Sequence, residues 1–291
     1  PNPEGTDGDI GALENSLGEK LNTIYTVKQD GTGDYTTIQS GVNGIDDGDT
    51  ILVHPGTYYE NIMITKQIVL ESEDGAGSTI IDASGSGTVL KLNNFSTADY
   101  YGYPDIHSDI IVDGFTIQNG SSIGSGNTSG GIIIGVSNSI VKNCVIKNNN
   151  SHDGGGSFAE GGTFVNCTFI GNTSEFTGGA IKMASRGFSG FESVSVTSCL
   201  IAENNCSSGS GLFGQFNINS STIVSNIGGA GIGVSGADSG QSIIRNSIIY
   251  GNSSEGVGSF DADITYSLVE GGYLGTGNID LNPLFVDSEN G

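Results

Sequence analysis

The chain has 291 residues, with 49 glycines, 5 prolines and no tryptophan, and its 32 acidic residues outnumber 9 basic ones to give a net charge of −23. That charge repels nucleic acid, anionic membranes and free acidic polysaccharides, unless a cation such as calcium bridges the last. No stretch is apolar enough to span a bilayer, and an apolar content of 35%, much of it Ile and Val in short runs, excludes a disordered chain.

Residues 1–20 read as an N-terminal tail. Asp7, Asp9 and Glu14 stand at offsets resembling a calcium loop, but Pro3 and Gly5 occupy its first two ligand positions and cannot serve. Residues 21–66 read as a cap and first coil. Thr36 and Gln39 form a capping box, and Ile38, Val42 and Ile45 follow at helical spacing. These predict a helix over 36–45 with one apolar face. Asp46, Asp47 and Asp49 share the turn after it and are candidate calcium ligands, although a solvated turn explains them as well. Strands follow at 50–54, 67–72, 79–83 and 88–92. Residues 95–109 read as an inserted loop. Its Tyr100, Tyr101, Tyr103 and His107 suit stacking on a sugar face or a partner; the plainer reading is a loop folded back over apolar surface.

Residues 67–272 carry the strongest signal, which is internal repetition. One phrase recurs as Val141-Lys-Asn-Cys-Val-Ile-Lys-Asn-Asn149, Phe164-Val-Asn-Cys-Thr-Phe-Ile-Gly-Asn172 and Val196-Thr-Ser-Cys-Leu-Ile-Ala-Glu-Asn204. It continues as Ile218-Asn-Ser-Ser-Thr-Ile-Val-Ser-Asn226 and Ile244-Arg-Asn-Ser-Ile-Ile-Tyr-Gly-Asn252, with a worn copy at 264–272. A second phrase interleaves with it: Gly130-Gly-Ile-Ile-Ile134, Gly178-Gly-Ala-Ile181, Gly209-Ser-Gly-Leu212 and Gly228-Gly-Ala-Gly-Ile232. Fixed strand cores with loops of varying length specify an all-β fold, a right-handed parallel β-helix with a short N-terminal capping helix. Period-two alternation turns Cys144 and Ile146 inward and Val145 and Lys147 outward. Stacking then predicts an interior column of Cys144, Cys167 and Cys199, read as small core fillers. It also predicts a ladder of Asn149, Asn172, Asn204, Asn226 and Asn252 at one turn. Cys206 falls in a turn, off the column. Asp261 and Asp263 form a second acidic turn, and 273–291 is a C-terminal segment.

Tyr25-Thr-Val-Lys-Gln-Asp-Gly-Thr-Gly-Asp-Tyr-Thr-Thr-Ile-Gln39, continuing through Asp49-Thr-Ile-Leu-Val-His-Pro-Gly-Thr-Tyr-Tyr-Glu-Asn61, resembles the opening of the pectin-methylesterase and pectate-lyase-like β-helix superfamily. Phe169-Ile-Gly-Asn172 followed by Gly178-Gly-Ala-Ile181 resembles the repeats of polymorphic outer-membrane adhesins. Gly277-Asn-Ile-Asp-Leu-Asn-Pro-Leu-Phe-Val-Asp287 is similar to the end of secreted β-helix proteins with anchor domains. In that last family a phrase like Pro1-Asn-Pro-Glu-Gly-Thr-Asp-Gly-Asp9 follows such an ending. Its position here suits tandem modules, or a tail that completes the open coil of another copy, head to tail; a loose tail at an arbitrary boundary explains it as well. These resemblances imply the fold and an extracellular or cell-surface location, and leave function open.

Pectin methylesterases need paired aspartates with an arginine and glutamines. Their Gly-x-Val-Asp-Phe-Ile-Phe-Gly strand and Arg-Pro-Trp phrase have no counterpart here. β-Helix lyases need a basic Lys or Arg beside a neutralised uronate. The residues offered for that role are Lys182 and Arg186, with His152, Asp153 and Glu160 about one coil away; two stray cations on a solvated face is the plainer account. The regular ladders and missing catalytic strands therefore favour a non-catalytic structural or adhesive β-helix, extracellular, alone or assembling with itself or with adjacent modules. The alternative is a carbohydrate-active enzyme of polysaccharide-lyase type or a carbohydrate-binding β-helix.

Overall fold

The computed structural model describes residues 22–92, 110–124, 128–135, 138–184, 193–207, 209, 211–233, 241–254, 256–258 and 262–285. The strands of these residues form stacked sheets of ten (sheet A), nine (sheet B) and seven (sheet C), with a further sheet of three. One coil visits A, B and C in turn, through Ile140–Lys142, Val145–Lys147 and Ser157–Ala159, then re-enters A at Thr163–Val165. Successive coils pair in parallel and in register, Val141 on Phe164, Ile146 on Phe169 and Phe158 on Lys182. The chain is thus a parallel β-helix.

Alternation builds the core. Val141, Ile146, Phe164, Phe169, Val196 and Ile201 are each 0% exposed, and each such side chain contributes about 1.5–3 kcal/mol by leaving water. The two-residue turn from A to B needs a left-handed residue, supplied by Asn143, Asn166, Ser198, Ser220 and Asn246 at φ between 50 and 54°. The residue after it points inward and forms the Cys and Ser column. There the side chain accepts a bond from the coil before it. Cys167 N donates to Cys199 Sγ (3.4 Å), Cys199 N to Ser221 Oγ (3.1 Å) and Ser221 N to Ser247 Oγ (3.2 Å). Filling the core is therefore half of the cysteines' role; accepting a backbone N–H is the other half. All four cysteines are buried and none is in a disulfide.

The turn leaving sheet B holds the asparagine ladder. Asn149 N donates to Asn172 Oδ1 (3.1 Å), Asn172 N to Asn204 Oδ1 (3.0 Å), Asn204 N to Asn226 Oδ1 (3.0 Å) and Asn226 N to Asn252 Oδ1 (3.1 Å).

The helix covers the first coil with Ile38, Val42 and Ile45, all buried. It spans Ile38–Gly44 and is capped by Thr37, whose side chain accepts from Ser40 N. The expected Thr36–Gln39 box is therefore displaced by one residue. The physical reason is Glu60 in the first coil, whose carboxylate accepts from Ile38 N (2.8 Å) and Gln39 N (2.9 Å) and takes the donors that a capping box would share.

Candidate active site on the outer face of sheet C

Between sheets B and C the chain leaves the coil to make the three-stranded sheet, a fin of Ser121–Ser122, Asn150–Asp153 and Thr173–Thr177. Gly154 (φ 62°) and Gly178 (φ 66°) turn the chain back onto sheet C. A Cβ at Gly154 would stand 2.3 Å from Ser157 O, and one at Gly178 2.6 Å from Ile181 O. Only glycine permits so close a return, and this return lays the fin against the outer face of sheet C.

On that face Ile133, Phe158 and Lys182 stack in successive coils. Phe158 is 0% exposed and packs with Ile133 and Ala184, apart from the main core. The Lys182 ammonium lies 5.8 Å from the centre of the Phe158 ring and 2.8 Å from Asp153 Oδ1. Thr177 Oγ1 donates to the same oxygen at 2.8 Å. His152 Nδ1 is 3.1 Å from Asp153 Oδ2. The His152 ring stacks on Phe176 at 4.3 Å, and Phe176 is 53% exposed.

Burial is the largest single influence on Asp153 and raises its pKa. The Lys182 and Thr177 hydrogen bonds, the Lys182 charge and the His152 bond together outweigh it, so the carboxyl is held below the usual range. The cluster thus presents a carboxylate that is ionised at neutral pH, a cation, an imidazole and an exposed aromatic ring. Such a set can perform nucleophilic or acid–base work on a substrate lying over the fin.

Of the residues offered from the sequence, His152, Asp153 and Lys182 meet here. Glu160 is buried one residue beyond strand Ser157–Ala159, with its N–H bonded to Ile134 O at 3.0 Å. Arg186 lies outside the described residues, as do Tyr100, Tyr101, Tyr103, His107, Asp7, Asp9, Glu14 and Asp261. The first acidic turn is structural: Asp49 accepts from Thr23 N and Asp46 N (3.0 Å each) and Asp47 from Gln67 N (2.7 Å). Asp263 pairs with Arg245. Among the described residues no group of three His, Cys, Asp or Glu side chains could hold a metal ion. Sequence reasoning missed Thr177 and Phe176. Thr177 directly precedes the recurring Gly-Gly phrase, a usable signal; nothing in the repeats marks Phe176.

No family model matches the chain. Over 90 residues, 28% of the chain, it is 40% identical to a protein described as pectinesterase/pectinesterase inhibitor 38 of Arabidopsis thaliana, of which this stretch is 18%. Among solved structures it is similar to the pectin methylesterase from carrot, with a TM-score of 0.50 and 15% identity over 90% of this chain and 87% of that one. It is equally similar to the Aspergillus niger pectin methylesterase, with a TM-score of 0.50 and 13% identity over 90% and 86% of the two chains. At these identities the likeness establishes the fold, a right-handed parallel β-helix of the pectin-methylesterase kind.

These likenesses correct the expectation of a non-catalytic adhesive or filament-forming β-helix. In sequence and in fold the chain is similar to proteins described as pectinesterases and pectin methylesterases, which fits the carbohydrate-active alternative better. The adhesive expectation leans on regular ladders. Those ladders face inward; they build the core and carry no information about the outer wall.

Proposed function

We propose that the protein is a carbohydrate-active β-helix, working outside the cell, which takes a neutral or esterified uronate polymer over the fin that covers sheet C. The observation that carries this reading is the buried Asp153 carboxylate, bound by Lys182, Thr177 and His152 beside an exposed Phe176. Ester hydrolysis can run on a carboxylate as nucleophile or base, a cation near the carbonyl oxygen and a group that carries a proton. Asp153, Lys182 and His152 are those three groups. The esterase signature phrases are missing, so the roles fall to this cluster and not to a family motif. Phe176, backed by His152, offers a flat apolar face to a sugar ring. The net charge of −23 sets the sign of the substrate: free polyuronate is repelled, whereas esterification removes that penalty. The names of the similar proteins support the same substrate chemistry.

Binding without turnover is the second reading, favoured by the three donors that already surround Asp153. The test is incubation with methyl-esterified polygalacturonan, following methanol release, unsaturated products and binding together. Methanol release that drops about a hundredfold or more in Asp153→Asn supports the proposal. Binding with no product selects the second reading. Neither binding nor product from the parent protein ends both.

A further inference from the structure

A second polar site lies at the opposite end of fin strand Asn150–Asp153 from the Asp153 cluster. It is a shallow cleft of about 370 Å³ lined by Ser84, Gly85, Asn119, Gly120, Ser121, Asn148 and Asn150. Its shape follows from the coil. Ser84, Asn119 and Asn148 are the left-handed residues of three consecutive turns, at φ 53, 58 and 54°. The next turn has Gly171 instead, with no side chain to continue the wall.

The lining is neutral. None of the described lining residues is charged; behind them Asp82 Oδ2 accepts from Gln118 Nε2 and Asn119 Nδ2, both at 2.7 Å, and Lys147 pairs in register with Gln118 on the following coil. Because Asn119 gives its NH₂ to Asp82, its carbonyl oxygen is an acceptor. Ser121, Asn148 and Asn150 make no side-chain hydrogen bond to another described residue, so a hydroxyl and two amides remain to bind a ligand. Hydroxyls and amides with no charge among them suit a hydroxyl-rich neutral ring.

Alternation puts Asn150 and His152 on one face of their strand. His152 stacks on the exposed Phe176. A ligand running along that face from Asn150 would reach this ring pair at His152, two residues or ~7 Å on, the reach of a short oligosaccharide; Asp153 alternates to the buried face, where its carboxylate contacts His152 Nδ1. We propose that the Asn119–Asn148–Asn150 cleft is a distal subsite for an uncharged sugar unit of the same polymer whose reacting unit lies at Asp153. The chain would therefore bind across the coil, along the fin strand, and prefer oligomers to dimers. This inference rests on the carbohydrate reading above.

The experiment is calorimetric titration with methyl-esterified oligogalacturonides from dimer to hexamer, on the parent protein and on the Ser121→Ala, Asn148→Ala double variant. Asn148→Asp, which sets a charge near Asp82, serves as a second probe. The parent should gain affinity with length, and in both variants the hexamer's advantage over the dimer should fall about tenfold. If the parent binds and the variants keep its full length dependence, the cleft is not a subsite while the carbohydrate reading stands. If the parent binds none of the oligomers, the carbohydrate reading fails and the subsite fails with it.

Discussion

Glu60 and Lys66, on either side of strand Ile62–Ile64, hold opposite ends of the single described helix. Glu60 accepts from Ile38 N and Gln39 N. Lys66 Nζ donates to the carbonyls of Val42 and Asn43 (3.1 Å each) and Ile45 (2.5 Å). A seven-residue helix is too short to persist by its own hydrogen bonds, so these contacts and the burial of Ile38, Val42 and Ile45 must secure it. The charges also match the ends of the helix dipole. Glu60→Gln and Lys66→Met should each destabilise the fold by about 1–2 kcal/mol. Hydrogen exchange at Gly41 and Val42 should quicken in both, before the rest of the solenoid loosens. Unchanged exchange there would mean that packing alone secures the cap.

The asparagine ladder makes a graded prediction. Asn204 is fully buried and serves three coils: its Oδ1 accepts from Asn172 N and Nδ2, and its Nδ2 reaches Phe169 O (3.0 Å) and Asn226 Oδ1 (3.0 Å). Asn204→Ala leaves several buried groups unpaired and should destabilise by about 3 kcal/mol. Asn252 is the last rung and slightly exposed at 6%, so Asn252→Ala should cost about half as much. Chemical denaturation of both variants measures the ratio, and equal losses would contradict the rung-by-rung account.

From Val141 to the worn copy at 264–272 the strands of sheets A and B and both interior columns were legible because one phrase repeats, whereas Ile24–Val27 and Gly56–Tyr58 lie outside it and do not read as strands. Sheet C was visible through the apolar run at 88–92 and the glycine-rich phrases before Ile132, Ile181, Leu212 and Ile232. The fin was not legible. Ser121–Ser122 and Thr173–Thr177 are mostly polar and lack the apolar alternation that marks a strand. Without the fin, sequence spacing suggests that Asp153 meets Lys182 but does not require it, because coil lengths vary and the register between distant coils follows from pairing. The helix cap slipped by one residue because its anion, Glu60, comes from the first coil, more than twenty residues on in sequence, and leaves no local trace.

The Cys and Ser column can be tested by exchanging its members. Cys199 accepts from Cys167 N through sulfur, and at the next coils oxygen does the same for Cys199 and Ser221. Cys199→Ser keeps an acceptor and should change stability by less than about 1 kcal/mol. Cys199→Ala strands the buried Cys167 N–H and should lose about 2 kcal/mol. Thermal unfolding distinguishes the two. If alanine is tolerated as well as serine, the column is filler only.

The Asp153–Lys182 pair yields a pH test with a change of sign. In the parent protein the folded-state pKa of Asp153 lies below its ordinary value, and the unfolded value is about 3.9. The pair's stabilisation is therefore complete above the unfolded value and is lost as pH falls through the folded one. Asp153→Asn should weaken the fold by about 2 kcal/mol at neutral pH, and the difference from the parent should shrink below about pH 4. Burial, the largest influence on Asp153, acts in the opposite direction. Lys182→Met removes both a hydrogen bond and a charge, so in that background burial should prevail and lift the pKa above its ordinary value. The carboxylate then opposes folding once ionised: its contribution is most favourable in acid and declines as pH rises from the unfolded to the folded pKa. Adding Asp153→Asn to Lys182→Met should consequently raise neutral-pH stability where it lowers that of the parent. Denaturation across pH 2.5–8 on the four proteins of this cycle measures both signs. The same sign in both backgrounds would show that Lys182 is not what keeps Asp153 ionised.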